Sequence, residues 1–585
     1  MNNCKYCCKL RFNFEKRNRQ ERNFGQSSQF KKKMGMLDFP DSHDPKPTCD
    51  SVQGVYQEAA VVSNTEYCSS IGRDVLKKGG SAVDAAIATL LCEGLCAMQN
   101  MGIGGGCFMT IYNKQSKSVS CLDAREAAPL SAKPDMYNGC YLRSASGNLS
   151  VAVPGELMGY WEAHKKFGKL PWGELFQPAI SMCLRGIPVN KRLAKSFSET
   201  GMGSEIMNSE SLRKVLAENG KLPTVGDTFR LPILAKTLTI IAKSPKGALE
   251  LYNGTITETF IEDLKKLGCI ITTEDMNNYR AVWKHPVMIN LEGDYIAYSA
   301  PPPASGVILL LILKVLENVV GHDPKANIIA VVEAFKYAYA LRSELGDPNY
   351  EDLNEVLNKI SSASYICEIK EKILKTRKTG NCPEDYGAKF TTPNDHGTVN
   401  IVVLAPNGDA VSVTSTINTL FGSLLASENT GIILNNEMDD FSSPNIINSF
   451  NLPPSPANYI KGGKRPLSSS CPTVVLDKKG DVHLVTGAAG GTHITTSTAQ
   501  VIMNFLWFDL TVKQAVDMPR LHHQLFPMAL RYEEGIETTL LQCARRVGHK
   551  LKKRGPSSSV TAIGRKENKI IAIYDYRRGG STAGF

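Results

Sequence analysis

Runs of Val, Ile and Thr broken by turn residues set the pattern of this chain. The clearest pair, Thr398–Leu404 and Ala410–Thr416, flanks Pro406-Asn407-Gly408-Asp409 and reads as a β-hairpin. Pro406 and Asn407 suit the centre of a type I turn, and Gly408 suits the left-handed residue that closes a three-residue loop. Ala405 then faces Asp409, and counting outward sets Thr398, at the start of the first strand, opposite Thr416. A tighter turn centred on Asn407-Gly408 would move Thr416 to the other face; Pro406, lacking an N–H, is a poor closing residue for it.

Elsewhere the apolar period predicts a helix over Glu66–Lys78 ended by Gly79-Gly80. A capping-box pattern at Ser81-Ala-Val-Asp84 opens the next, which runs to about Ala97. The glycine-rich stretch Met101–Gly106 follows a helix and lacks the Lys-Ser/Thr of a nucleotide loop. Strands Phe108–Tyr112 and Val119–Leu122 then deliver Arg125 at their end. Helices are expected over Trp172–Leu184 and Ile328–Ser343, the latter with core-like spacing. A buried strand is expected at Gly431–Leu434, a hairpin over Val474–Thr486 around Lys478–Asp481, and a helix from about Thr495. The apolar run Gly306–Leu313 stops at Lys314, too short to span a bilayer.

Composition refines this picture. The net charge of +10 is concentrated in residues 1–33, which hold ten Lys or Arg against two Glu, so the remainder carries only +2. A nucleic-acid partner therefore has little support. Residues 1–50 are polar, basic and broken by prolines, and read as a disordered extension without the apolar core of a signal peptide. Cys4, Cys7 and Cys8 cluster there without a histidine, too few ligands for a zinc site, and no histidine elsewhere joins a convincing ligand cluster. Sequons at Asn148 and Asn253 fit a secretory route.

The chemistry points to Thr398. If the chain is cut after Gly397, the new α-amine lies one side chain from the Thr398 hydroxyl. With an ordinary pKa of about 7.7 to 8.0 it is a suitable general base; uncut, the same nitrogen is an amide and is not.

The Gly397-Thr398 step occurs together with Thr414–Asn418, Asn435–Phe441, Pro466–Ser469 and Gly487–Thr492, in that order. On these motifs the chain, from about Ala59 to Phe585, resembles the gamma-glutamyltransferase, or glutathione hydrolase, family of N-terminal-nucleophile hydrolases. The resemblance implies an α/β fold, the four-layer αββα sandwich. It also implies self-cleavage into regions 51–397 and 398–585 that remain one compact heterodimeric unit.

Carried onto matching positions, Thr398 is the nucleophile and Thr416 its support. Gly490 and Gly491 are oxyanion donors, Arg125, Ser468 and Ser469 bind an α-carboxylate, and Asn418, Glu437 and Asp440 bind an α-ammonium. Cys68 and Cys92 match a family disulfide. The implied substrates are glutathione and other γ-glutamyl compounds, with water, an amino acid or a dipeptide as acceptor and no cofactor or metal. The implied location is secreted or at the outer face of the plasma membrane, although the sequence displays no anchor. An acylase for an apolar group would leave the charged residues unpaired. An uncut homologue acting as a secreted or surface interaction protein is the alternative. One departure bears on it: the family commonly carries histidine two residues after the nucleophile, where this chain has Asn400, on the face of Thr398 and able to tune cleavage.

Overall fold

The computed structural model describes residue 49 and residues 51–198, 201–217, 220–391, 397–444, 453–555, 557–566 and 568–585. The expectations for residues 1–48, including the three clustered cysteines, lie outside these residues.

The hairpin has the expected register. Val399 lies opposite Ser415 and Leu404 opposite Ala410. The Ala405 N–H donates to Asp409 O (2.9 Å), the Gly408 N–H donates to Ala405 O (3.0 Å), and Gly408 takes φ +85°. The first strand is Val399–Leu404, so the ladder starts one residue after Thr398. Every residue of both hairpin strands is buried. Such strands must be covered on both faces, which is why their runs are continuously apolar or small rather than alternating.

Two seven-stranded sheets supply that covering. One has the order Gly54–Tyr56, Lys569–Ile573, Ser559–Lys566, Val482–Ala489, Thr473–Leu476, Tyr295–Ser299, Val287–Leu291. The other has the order Ser581–Gly584, Ala60–Ser63, Val399–Leu404, Ala410–Thr416, Gly106–Asn113, Ser118–Ala124, Val282–Lys284. Val62, Tyr112, Val402, Leu404, Val474, Val485 and Ile563 fill the space between them. Helices Gly306–Leu316, Pro324–Arg342 and His493–Trp507 cover the outside of the first sheet. Helices Cys68–Lys77, Ala82–Cys96, Glu156–Phe167 and Trp172–Arg185 cover the second. This is the four-layer αββα arrangement. The Ser81–Asp84 capping box forms as expected, and Gly79 (φ +88°) ends the preceding helix. Among the described residues no helix is long and apolar enough to cross a membrane.

One expectation changes. Cys68 and Cys92 are separate, fully buried thiols rather than a disulfide. The Cys68 sulfur accepts from Thr65 Oγ1 (2.9 Å) and lies against Cys96, one helical turn beyond Cys92. Asn400 is held by hydrogen bonds: its N–H donates to Asn64 Oδ1 (2.9 Å) and Nδ2 to Val413 O (2.8 Å) and Thr414 Oγ1 (3.0 Å), while Oδ1 accepts from Thr561 Oγ1 (2.5 Å). Thr561 belongs to the opposite sheet, so Asn400 is a polar tie between layers.

Both sheets interleave strands from either side of position 397, so no plane through the core separates the two halves. A chain cut there is expected to elute as a single species from a sizing column and to separate into two only in denaturant. Separation under native conditions would contradict the shared-core arrangement.

Candidate active site

Thr398 (4 % exposed) and Thr416 (8 %) lie side by side at the end of the central hairpin. Thr416 Oγ1 donates to Gly397 O (2.5 Å) and accepts from the Asn418 N–H (2.8 Å). The hydroxyl is thereby oriented at the carbonyl of the Gly397–Thr398 peptide. Asn418 sits at φ +71°, a left-handed conformation that asparagine tolerates better than most residues, and Nδ2 donates to Asn436 O (3.0 Å). A Cβ on Gly397 would come within 2.7 Å of Asn418 O, so only glycine fits there without a shift. The Thr398 carbonyl accepts from Arg578 Nη1 (3.0 Å).

A second cluster adjoins the first. Arg125, at the end of strand Ser118–Ala124, is 1 % exposed. It is ion-paired with Glu437 and Asp440, which stand on one 3-10 turn, and its Nη2 and Nε donate to Leu467 O (3.3 Å) and Pro466 O (3.4 Å). The expectation that Arg125 and the two acids serve opposite ends of a ligand meets a structure in which they pair with one another. Glu126 lies beside them, 3.8 Å from Arg125 Nη1, and its carboxylate covers Gly106, where a Cβ would approach Oε2 to 2.5 Å. Gly106 is paired with Thr416, and the Asn436 N–H donates to Ile417 O (3.3 Å). The two clusters thus share one wall.

Ser468 and Ser469 follow the carbonyl that Arg125 holds. Ser468 Oγ donates to Ser470 Oγ (3.0 Å), and Ser469 Oγ accepts from Arg342 Nη2 (2.9 Å). Gly490 (φ +130°) and Gly491 (φ +60°) lie between strand Val482–Ala489 and helix His493–Trp507. A Cβ on Gly490 would lie 2.6 Å from Ser557 O, the same carbonyl to which Arg578 Nη2 donates (3.3 Å). Arg578 therefore spans the Thr398 carbonyl and the segment packed on the glycine turn.

A matching family profile, Gamma-glutamyltranspeptidase, spans residues 68–585. The chain belongs to the gamma-glutamyltranspeptidase family. Scoloptoxin SSD14 of the centipede Scolopendra dehaani is 44 % identical over 92 % of this chain and 94 % of its own. Glutathione hydrolase 2 of Arabidopsis thaliana is 36 % identical over 91 % and 94 %. The crystal structure of cephalosporin acylase from Bacillus halodurans superposes with a TM-score of 0.77 over 94 % of this chain and 99 % of that one, at 23 % identity, a likeness of fold. As a gamma-glutamyltranspeptidase-family protein the chain is an enzyme of the hydrolase and transferase class.

Several site residues escape the sequence reading. Glu126 follows Arg125 directly, and Arg578 lies in the Tyr576–Gly580 run, but neither has a pattern that assigns it a role. Glu156 is the third. Burial raises three acids of this wall: Glu437 well above the ordinary value despite Arg125, Glu126 to about 7, and Glu156 to about 8 against a hydrogen bond from the Tyr160 hydroxyl.

A carboxyl whose pKa is raised on folding keeps its proton in the native state while the unfolded chain has lost it. Its effect on stability is therefore increasingly unfavourable as pH rises from about 4.3 to its folded pKa. Glu156→Gln, which keeps an acceptor for the Tyr160 hydroxyl, is expected to gain on the wild type between pH 5 and pH 8 by on the order of 1–3 kcal/mol. Thermal unfolding at the two pH values measures this; an equal difference at both would show that Glu156 ionises normally.

Proposed function

We propose that this protein hydrolyses or transfers the γ-glutamyl group of glutathione and related amides through an ester on Thr398, after cutting its own chain between Gly397 and Thr398. The observation that carries this reading is the Thr416 hydroxyl donated to the Gly397 carbonyl oxygen at 2.5 Å. That donor polarises the carbonyl that must be attacked and balances charge on its oxygen as the tetrahedral centre forms.

In maturation, Thr398 Oγ adds to the Gly397 carbonyl carbon, the C–N bond breaks with a proton passing to nitrogen, and Gly397 is left as an ester on Thr398. Water hydrolyses that ester, leaving a carboxylate at Gly397 and an α-amine at Thr398. The amine then accepts the Thr398 hydroxyl proton as Oγ attacks the γ-carbonyl of the substrate, with the Gly490 and Gly491 N–H groups as oxyanion donors. The amine portion leaves with a proton, and water or the amino group of an amino acid or dipeptide resolves the γ-glutamyl ester.

For the zwitterionic end of the substrate, Arg125 with Ser468 and Ser469 takes the α-carboxylate, and Asn418, Glu437 and Asp440 take the α-ammonium. The ion pairs of Arg125 with Glu437 and Asp440 support this reading on energetic grounds. A bound zwitterion exchanges the internal pairs of Arg125 with Glu437 and Asp440 for pairs with its own two charges, and no charge is left alone in a buried site. An apolar acyl group offers no such exchange.

Thr398→Ala is expected to leave a single chain with no γ-glutamyl turnover, whereas Thr416→Ala slows self-cleavage by roughly 10²-fold or more. Intact mass and N-terminal sequencing report both, and a fragment beginning at residue 398 in the Thr398→Ala protein would remove the nucleophile assignment. Arg125→Ala is expected to leave cleavage in place and to weaken glutathione binding by about 2–5 kcal/mol, the cost of removing one partner of a buried charge pair. An unchanged KM would reduce Arg125 to a structural ion-pair partner.

A further inference from the structure

Arg578 is a cation whose partners in the structure are both backbone carbonyls, Thr398 O at 3.0 Å and Ser557 O at 3.3 Å. Among the described residues no carboxylate lies within ion-pair distance of it. Asp575, three residues earlier, is occupied by Arg520 and Arg577 and by the Val560 N–H. Burial and the guanidinium of Arg192 both disfavour the charge on Arg578, with the Asp575 carboxylate acting in its favour. A partly buried, uncompensated charge is costly to maintain, and here it is held against the residue proposed above as the nucleophile.

We propose, resting on the Thr398 reading, that Arg578 is a positioning residue of the mature enzyme: it fixes Thr398 by its carbonyl and keeps the released α-amine neutral at the pH where it acts as base. The amine and the carbonyl oxygen belong to the same residue, so the guanidinium lies within about 5–7 Å of the amine. At an effective dielectric of about 20 to 40, a like charge at that range lowers an amine pKa by roughly one unit or more. The other charged groups around the strand end do not reverse this. Asp575 is neutralised by two arginines. Glu156, beside Ser415, holds its proton to about 8. Glu93, which accepts the Asn64 and Thr65 N–H groups, is raised by burial to about 7. Arg192 adds a further positive charge. In the uncut chain the same nitrogen is an amide, so this influence begins only at cleavage.

The test compares wild type, Arg578→Lys and Arg578→Gln in two measurements: N-terminal sequencing of the purified proteins, and the pH dependence of kcat/KM with a chromogenic γ-glutamyl anilide. The expected result is a fragment beginning at Thr398 in all three. The acidic limb of the profile moves to higher pH by about one unit in the glutamine variant and stays in place in the lysine variant. A glutamine variant whose limb overlays the wild type, or a lysine variant that shifts as far as glutamine, overturns the proposal. A glutamine variant that remains uncut beside a processed lysine variant also overturns it, moving the role of the charge to self-cleavage. If wild type itself yields no fragment beginning at Thr398, it is the nucleophile reading that fails, and the sequencing distinguishes that outcome from the others.

Discussion

The site depends on the register of one hairpin. Because Val399 pairs with Ser415, the Thr416 side chain reaches the peptide immediately before the ladder, and its hydroxyl meets Gly397 O. A slip of one residue would turn every side chain of the strand to the other face. Burial on both faces resists such a slip: Asn400 is tied to Asn64, Val413, Thr414 and Thr561, and Val402 and Leu404 are locked between the sheets. The fold thus spends two complete sheets on holding two threonines in one relation.

Around that geometry the wall is charged and dry. Arg125, Glu437, Asp440 and Glu126 share a space that water does not reach, and no charge is placed there without cost. The internal ion pairs of Arg125 with Glu437 and Asp440 offset the cost of burying those charges. Arg578 brings positive charge to the Thr398 carbonyl, with no carboxylate within ion-pair distance of it among the described residues. On the function proposed, one wall receives a zwitterion and the other faces the atom that must lose a proton.

Family membership, carried by long motifs in order, is legible from the residues. So are the hairpin and its bulged turn, the Ser81–Asp84 cap and the strand that delivers Arg125, because each rests on local chemistry within a few positions. Turn preference, capping geometry and apolar period act through neighbours in the chain, and the structure repeats them. The strand end at Thr398 differs by one residue, since the Thr416 hydroxyl, rather than a ladder bond, takes the carbonyl of Gly397.

What only the tertiary structure decided are relations between segments far apart in the chain. Arg125 meets Asp440 across 315 positions, Arg578 meets Thr398 across 180, and Asn400 meets Thr561 across 161. The family resemblance implies Arg125, Glu437 and Asp440 as ligand groups but not as partners of one another, and it implies a Cys68–Cys92 pair where the packed helices bring Cys96 to Cys68. Local preference fixes which element a residue joins. Which buried charge stands beside which is settled by the requirement that polar groups removed from water find partners, and that requirement is met only when both sheets are assembled.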